Sequence, residues 1–199
     1  MRILLLQVST KDIKDYAVYS LPHNLRYAVE KGYDYFLYQN NRFQYPAMWL
    51  KIEVFKHLNY AGYDHIWVLD ADCVINDFSV DLEELINRDR KDIIISENGP
   101  NGGLQLNSGS TIYSARIVPD LLQRYDQWVA EANPHMRQHW YDQQLINEWN
   151  DANPEVFSVR EYSELNSWWC EMNPSHFVFH FMARESSEKV HLIRRHVDA

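Results

Sequence analysis

The chain has 199 residues with a formal net charge of −9, and 46% of them are hydrophobic. An acidic chain lacks the basic surface that binds nucleic acid, so we expect no nucleic-acid partner. The hydrophobic share is sufficient for a packed core, and the length suits one domain covering residues 1–199. Cys73 and Cys170 are far apart in the sequence and are predicted to be reduced, buried thiols.

The first half of the chain alternates between strand-like and helix-like patterns. We predict strands at 3–8, 33–38 and 65–69 and helices at 23–31 and 46–60. This order is typical of an α/β fold with a mostly parallel, Rossmann-like central sheet flanked by helices. The apolar run at 3–8 is too short for a signal peptide or a membrane span, and no later segment approaches the length of a membrane span. We therefore expect a soluble protein, facing the cytoplasm, without a membrane span.

The second half continues the pattern with a glycine-rich loop at 99–103. We predict helices at 81–87, 116–133 and 141–149 and strands at 92–96, 111–113, 156–159 and 177–181. A polar segment, Asn107-Ser108-Gly109-Ser110, leads into the strand at 111–113. No internal repeat or interdomain linker is visible in the sequence.

The triplet Asp70-Ala71-Asp72 directly follows the buried strand at 65–69. On an extended backbone, two carboxylates two residues apart point the same way. The carboxyl ends of parallel strands are where α/β sheets bind ligands, and a hard divalent cation prefers oxygen ligands that include substrate phosphates. The pattern favours a metal site with Asp72 as a ligand and Asp70 as a second ligand or a ribose contact. Two aspartates that cap a turn are the alternative.

Three further segments carry polar side chains that suit a ligand site. His180 lies in an apolar run and is either a core residue or an imidazole ligand that completes an Asp/Asp/His set. Asn107, Ser108 and Gly109 either bind sugar hydroxyls or form a tight, self-satisfied turn. Asp142 and Gln143 begin a predicted helix, where the acid either caps the helix or contacts a sugar. Three tryptophans are candidates to stack on a sugar face: Trp140, Trp168 and Trp169.

Taken in order, these motifs resemble retaining glycosyltransferases of the GT-A fold, and most closely glycosyltransferase family thirty-four, the galactosyl-, xylosyl- and mannosyltransferase group. The matching blocks begin at Asn24-Leu25-Arg26-Tyr27-Ala28 and continue through Trp49-Leu50-Lys51-Ile52 and the Asp70-Ala71-Asp72 triplet. They end with Asp142-Gln143 and His180-Phe181 and together span most of the chain.

The resemblance implies a GT-A sheet, a nucleotide-diphosphate sugar donor, a glycan or other hydroxyl acceptor, and Mn²⁺ or Mg²⁺ as cofactor. It places Asp70, Asp72 and His180 at the metal and the diphosphate. It places Asn107, Ser108 and Gly109 beside the donor sugar, and Asp142 and Gln143 on its reacting face. It also implies that the anomeric configuration is retained and that the donor is a UDP-sugar rather than a GDP-sugar.

Two departures from the family pattern affect the implied site. Tyr141 stands before Asp142 where relatives often have a second acid. Met182-Ala183-Arg184 replaces the glycine, cysteine and lysine that usually follow the histidine. The guanidinium of Arg184 suits a diphosphate, and Lys51 is a second candidate cation there. Many eukaryotic members of the family have an N-terminal membrane anchor and stem, which this sequence does not show. We therefore expect a minimal catalytic domain, a fragment of a longer protein, or an enzyme that works outside the Golgi lumen.

The implied mechanism is attack of an acceptor hydroxyl on the anomeric carbon. Retention requires either a covalent intermediate, with Asp142 as nucleophile, or attack on the same face as the departing phosphate. We favour same-face attack with Asp142 orienting the sugar. A nucleotidyltransferase is the rival enzyme class, but it needs a glycine-rich loop where this chain has Val8-Ser9-Thr10-Lys11-Asp12. A nucleotide-sugar-binding module without catalysis is the non-enzymatic alternative.

Overall fold

The computed structural model describes residues 1–10, 14–40, 45–99, 105–131, 141–168, 173–182 and 185–198. The strands are β1 (Ile3–Ser9), β2 (Asp34–Gln39), β3 (His65–Leu69), β4 (Cys73–Ile75), β5 (Ile93–Glu97), β6 (Leu106–Ser114), β7 (Phe157–Arg160), β8 (Ser167–Trp168) and β9 (Val178–His180). The helices are α1 (Lys14–Lys31), α2 (Leu50–Glu53), α3 (Leu82–Asp89), α4 (Val118–Ala130), α5 (Tyr141–Ala152), α6 (Tyr162–Leu165) and α7 (Ser186–Val197). In the described part of the chain, no helix has the length and apolarity needed to cross a bilayer.

Six of these strands form the central sheet, in the order β2-β1-β3-β6-β5-β7. All neighbouring pairs are parallel except those that β6 makes with β3 and β5. The predicted α/β fold with a mostly parallel sheet is confirmed. A second sheet, β4-β9-β8, lies beyond the end of β3 and places Cys73 opposite His180.

Helices cover both faces of the central sheet, which explains why β1, β3 and β5 read as largely apolar runs. Side chains alternate along each strand between two core clusters. Leu4, Ile66 and Ile93 belong to one cluster, whereas Leu5 and Trp67 belong to the other. A third cluster joins α1 to α7 through Tyr16, Ala17, Phe181 and Ile193. Helix α7 therefore belongs to the fold, although none of the predicted elements corresponds to it.

Three predicted elements differ from the structure. Helix α1 begins at Lys14 and runs through Pro22, although proline favours a helix start near 23. The single helix predicted at 46–60 is instead the short helix α2 between two 3₁₀ turns. The buried side chains are not confined to one helix face, because the segment buries Trp49, Leu50, Ile52, Val54 and Phe55. Residues 107–110 are not a loop but the first half of β6.

Candidate active site

The aspartate triplet leaves the carboxyl end of β3 as a tight turn. The Asp70 N–H donates to the Gly109 carbonyl at 2.8 Å, and the Cys73 N–H donates to the Asp70 carbonyl at 3.1 Å. The backbone therefore turns at the triplet, whereas the sequence analysis expects it to stay extended. Both carboxylates nevertheless face the same cavity, because the turn carries Asp72 back towards Asp70.

Side chains from β1 and α1 hold the backbone of this turn. Gln7 Nε2 donates to the Asp70 carbonyl at 3.2 Å, and Ser20 Oγ donates to the Ala71 carbonyl at 2.5 Å. Asn24 Nδ2 donates to the Cys73 carbonyl at 2.9 Å, while Asn24 Oδ1 accepts from the Ile75 N–H. These bonds satisfy buried carbonyl groups and fix the direction of both aspartates.

His180 meets the triplet from β9. Its Nε2 lies 3.2 Å from Asp72 Oδ1 and 4.0 Å from Asp70 Oδ2, and its Nδ1 lies 2.8 Å from Asn166 Oδ1. An amide oxygen only accepts hydrogen bonds, so the Nδ1 proton is donated to Asn166. Nε2 is therefore the ring atom that faces Asp72: it donates to the carboxylate when the ring is protonated and presents a lone pair to a metal ion when the ring is neutral. Metal-binding histidines commonly donate their other ring N–H to such an acceptor, as His180 does to Asn166.

Gly109 leaves room for the His180 ring. A Cβ atom at position 109 would lie 2.3 Å from His180 Cε1 and 2.6 Å from Nδ1. The glycine therefore permits the close approach of β6 to the imidazole. Within the described cavity its neighbours Asn107 and Ser108 form part of the lining, whereas Gly109 lies behind the histidine.

Lys51 links Asp70 to Asp142. Its Nζ lies 2.9 Å from Asp70 Oδ1, 3.1 Å from Asp142 Oδ2 and 3.2 Å from Ser108 Oγ, and its side chain is 3% exposed. Ser108 Oγ also donates to Asp142 Oδ2 at 2.6 Å. The burial of Lys51 opposes its charge, but the two carboxylates outweigh that effect and raise the pKa of the ammonium. Lys51 is thus paired with two carboxylates of the site.

The two aspartates of the triplet differ electrostatically. Burial raises the pKa of Asp70, although Lys51 and His180 favour its carboxylate. Burial acts the same way on Asp72, but His180 and Lys189 outweigh it and hold the pKa of Asp72 well below its usual range. Asp72 is therefore the more firmly ionised of the two carboxylates.

The thiol of Cys73 lies beside this cluster. The donor atoms of Asp72, Cys73 and His180 are all within 4.8 Å of one another. Burial raises the pKa of the Cys73 thiol, and its Sγ donates to the Gly109 carbonyl at 3.2 Å. A protonated thiol is a poor ligand, so the two carboxylates and the imidazole are the groups that fit a hard divalent ion. Cys73 is free and buried, as predicted, and Cys170 lies outside the described residues.

The cavity between these groups has a volume of about 100 Å³. It is lined by Met48, Lys51, Asp70, Asp72, Asn107, Ser108, Asp142, Gln143, His180, Met182 and Lys189. Gln143 Oε1 is buried and makes no hydrogen bond to the described residues, so it can accept one from a ligand. A groove of about 150 Å³ adjoins the cavity at the end of β1, and both share Met48, Asp70 and Asp72.

Asn166 and Lys189 are site residues that none of the motifs indicates. Lys189 lies on α7, and its Nζ is 2.5 Å from Asp72 Oδ2. Asn166 lies just before β8 and reaches the site only because β8 pairs with β9. The sequence offers a weak signal for Lys189, because members of the resembled family usually carry a lysine shortly after the histidine.

Several predicted contacts are placed elsewhere or fall outside the described residues. Trp168 packs against Gly99, where a Cβ atom would lie 2.5 Å from its ring, and it is absent from the described lining of the cavity. Arg184, Trp140 and Trp169 lie outside the described residues, as does most of the loop predicted at 99–103.

No protein-family model matches the sequence, and a search of curated proteins finds no match. The structure, in contrast, resembles solved glycosyltransferases. The crystal structure of a glycosyltransferase involved in the glycosylation of the major capsid of PBCV-1 matches with a TM-score of 0.82 and 13% sequence identity, over 98% of this chain and 100% of that one.

Two other solved enzymes share the architecture. Galactosyltransferase LgtC, in complex with donor and acceptor sugar analogs, matches with a TM-score of 0.64 and 10% identity over 96% of this chain and 95% of that one. Mouse xyloside xylosyltransferase 1 matches with a TM-score of 0.55 and 13% identity over 92% and 98%. The chain has the GT-A fold. The fold inferred from the motif order is thereby confirmed.

Proposed function

We propose that the chain is a metal-dependent glycosyltransferase that moves a sugar from a nucleotide-diphosphate donor to a hydroxyl of a glycan or related acceptor. The observation that carries this proposal is the convergence of Asp70, Asp72, Asp142 and His180 on one cavity at the carboxyl end of β3. In open α/β sheets ligands bind at this edge. The glycosyltransferases that share the fold support the same reaction class.

Mn²⁺ or Mg²⁺ is the proposed cofactor, held by Asp70, Asp72 and His180. The fit rests on the donor set: two carboxylates and an imidazole whose Nε2 lies 3.2 Å from Asp72 Oδ1. When bound, the ion would neutralise charge on the departing nucleotide diphosphate. Arg184 is proposed to add positive charge there, and so is Lys51, which also pairs with Asp70 and Asp142.

The groove at the end of β1 is the proposed site of the nucleoside. Ser9, Thr10 and Met48 line it, and it opens onto Asp70 and Asp72, where a diphosphate would lie. UDP is the first candidate because of the resemblance to family thirty-four, and the assignment to that family is part of the same proposal.

The donor sugar is proposed to lie against Asn107, Ser108, Asp142 and Gln143. Asp142 is 2% exposed and accepts from Ser108 Oγ, so its carboxylate has a fixed direction. Gln143 Oε1 is buried and unpaired among the described residues, and it suits a sugar hydroxyl. We favour retention by same-face attack, with Asp142 orienting the sugar, because a carboxylate paired with Lys51 is a weakened nucleophile.

A thermal-shift screen of UDP- and GDP-sugars, with and without Mn²⁺, tests the donor and the metal together. A ligand that binds the native state raises the melting temperature. We expect a UDP-sugar to do so only with Mn²⁺, and Asp72→Asn to lose the shift. The matched control is Asp126→Asn, which removes an exposed carboxylate paired with Lys56. A metal-independent shift, or a full shift in Asp72→Asn, contradicts the proposed site.

Release of free sugar from the bound donor separates the enzyme from a binding module. A glycosyltransferase hydrolyses its donor slowly when no acceptor is present, so we expect free sugar and nucleotide diphosphate to accumulate with time. Donor binding without any such release would support the non-catalytic alternative.

A further inference from the structure

Helix α7 brings a second ammonium group to the aspartate triplet. Lys189 Nζ lies 2.5 Å from Asp72 Oδ2, and the side chain is 13% exposed. The ammonium is also 5.1 Å from the centre of the Tyr16 ring, a cation–π distance that places it deeply against α1. Asp72 Oδ2 thus contacts Lys189, and Asp72 Oδ1 lies 3.2 Å from His180 Nε2.

The two lysines of the cavity have different surroundings. Lys51 is shared by Asp70 and Asp142 and contacts Ser108 as well. Lys189 pairs with Asp72 alone among the described carboxylates. A divalent ion bound by Asp72 would lie within a few ångströms of the Lys189 ammonium, where like charges repel strongly at a buried site. The ion and the ammonium therefore compete for the same carboxylate.

We propose that Lys189 is a built-in competitor of the divalent ion: it neutralises Asp72 when the ion is absent and must leave Asp72 when the ion binds. This inference rests on the proposed metal role of Asp72. It assigns to α7 a function in setting the affinity for the ion, in addition to its packing against α1.

The packing of α7 allows such a displacement. Its middle is anchored by Ile193, which is fully buried beside Phe181. Its first turn is exposed at Ser186 and Ser187, and Glu185 makes no side-chain cap bond to the described residues. The movement of Lys189 therefore involves its own side chain and an exposed first turn, and it does not require the buried Ile193 to move.

Mn²⁺ binding measured by electron paramagnetic resonance tests the competition without any activity assay. We expect Lys189→Met to bind Mn²⁺ on the order of tenfold more tightly than the unchanged protein, because the competing charge is gone. Lys189→Arg keeps the charge and should keep the original affinity. Lys56→Met is the matched control, since Lys56 pairs with Glu53 and Asp126 and is absent from the described lining of the cavity.

A melting experiment provides the second readout. Lys189→Met leaves Asp72 without its lysine, so its melting temperature in chelator should fall and its rise on adding Mn²⁺ should exceed that of the unchanged protein. If Lys189→Met is not recovered folded, Lys189→Gln carries the same expectations. Equal or weaker Mn²⁺ binding in the neutral variant overturns this inference alone. Absence of Mn²⁺ binding in every variant overturns the inference together with the metal role of Asp72.

Discussion

The contact between Gly109 and His180 gives the sharpest structural prediction. In Gly109→Ala, the new methyl group would lie 2.3 Å from His180 Cε1. Carbon atoms pack at about 3.5 to 4.0 Å, so the ring or the strand must move by more than about 1 Å. The ring has little freedom to do so, because it is 5% exposed and its Nδ1 is bonded to Asn166.

We expect Gly109→Ala to destabilise the protein by about 1–3 kcal/mol, the usual cost of overpacking a core. Displacement of the imidazole should also weaken Mn²⁺ binding by at least the roughly 10–100-fold that follows when a ligand loses the group that orients it. Denaturant unfolding and Mn²⁺ titration measure the two effects. The control is Gly62→Ala, whose methyl group would meet only the flexible end of Arg2 at 3.3 Å. Unchanged stability and Mn²⁺ affinity in Gly109→Ala would refute the proposed packing of the imidazole.

Three further predictions concern buried polar groups. Lys51→Met leaves the carboxylates of Asp70 and Asp142 without their shared cation. We expect the free energy of unfolding, measured with urea, to fall by about 3–5 kcal/mol, and a fall below about 1 kcal/mol would contradict the buried ion pairs of Lys51. Asn166→Ala removes the acceptor for His180 Nδ1 and should weaken Mn²⁺ binding about 10–100-fold in titrations. Equal Mn²⁺ affinity would show that another group fixes the tautomer of the His180 ring. Burial and the neighbouring His23 lower the pKa of His196 to about 4, so the folded protein resists protonation of His196. Its stability should therefore fall as the pH drops from about 6.5 towards 4. The melting temperature of His196→Phe should fall less over that range, and an identical fall would argue against the lowered pKa of His196.

Local patterns were sufficient for the central sheet. The run at 65–69 is apolar at every position after His65, and it forms β3 with the predicted bounds because both faces of the sheet are covered. The triplet that follows was placed correctly at the sheet edge for the same reason. The conformation of the triplet could not be predicted in the same way, because its turn depends on Gln7, Ser20 and Asn24, which are distant in the sequence.

The polar segment at 107–110 shows where composition misleads. Small polar residues and a glycine are typical of a loop, yet Asn107 and Ser108 belong to a strand. Their polar atoms are satisfied there by Asn98 and Asp142, and Gly109 is required by the His180 ring. A local signal cannot distinguish a glycine needed for a turn from one needed for close packing.

The residues that complete the site were hidden by long-range pairing. Asn166 reaches His180 through the pairing of β8 with β9, and Lys189 reaches Asp72 across more than one hundred residues of sequence. Neither contact follows from spacing in the chain. The motif order nevertheless predicts the GT-A fold, because each motif is a short block of sequence that can be read locally, on strands and helices alike.

Release of nucleotide diphosphate from a UDP-sugar tests the central claim most directly. The measurement compares the unchanged protein with Asp72→Asn, each with Mn²⁺ and with chelator, in the presence of a mixture of glycan acceptors. The account predicts release and sugar transfer only in the unchanged protein with Mn²⁺. Equal release in chelator, or full release by Asp72→Asn with Mn²⁺, would contradict it.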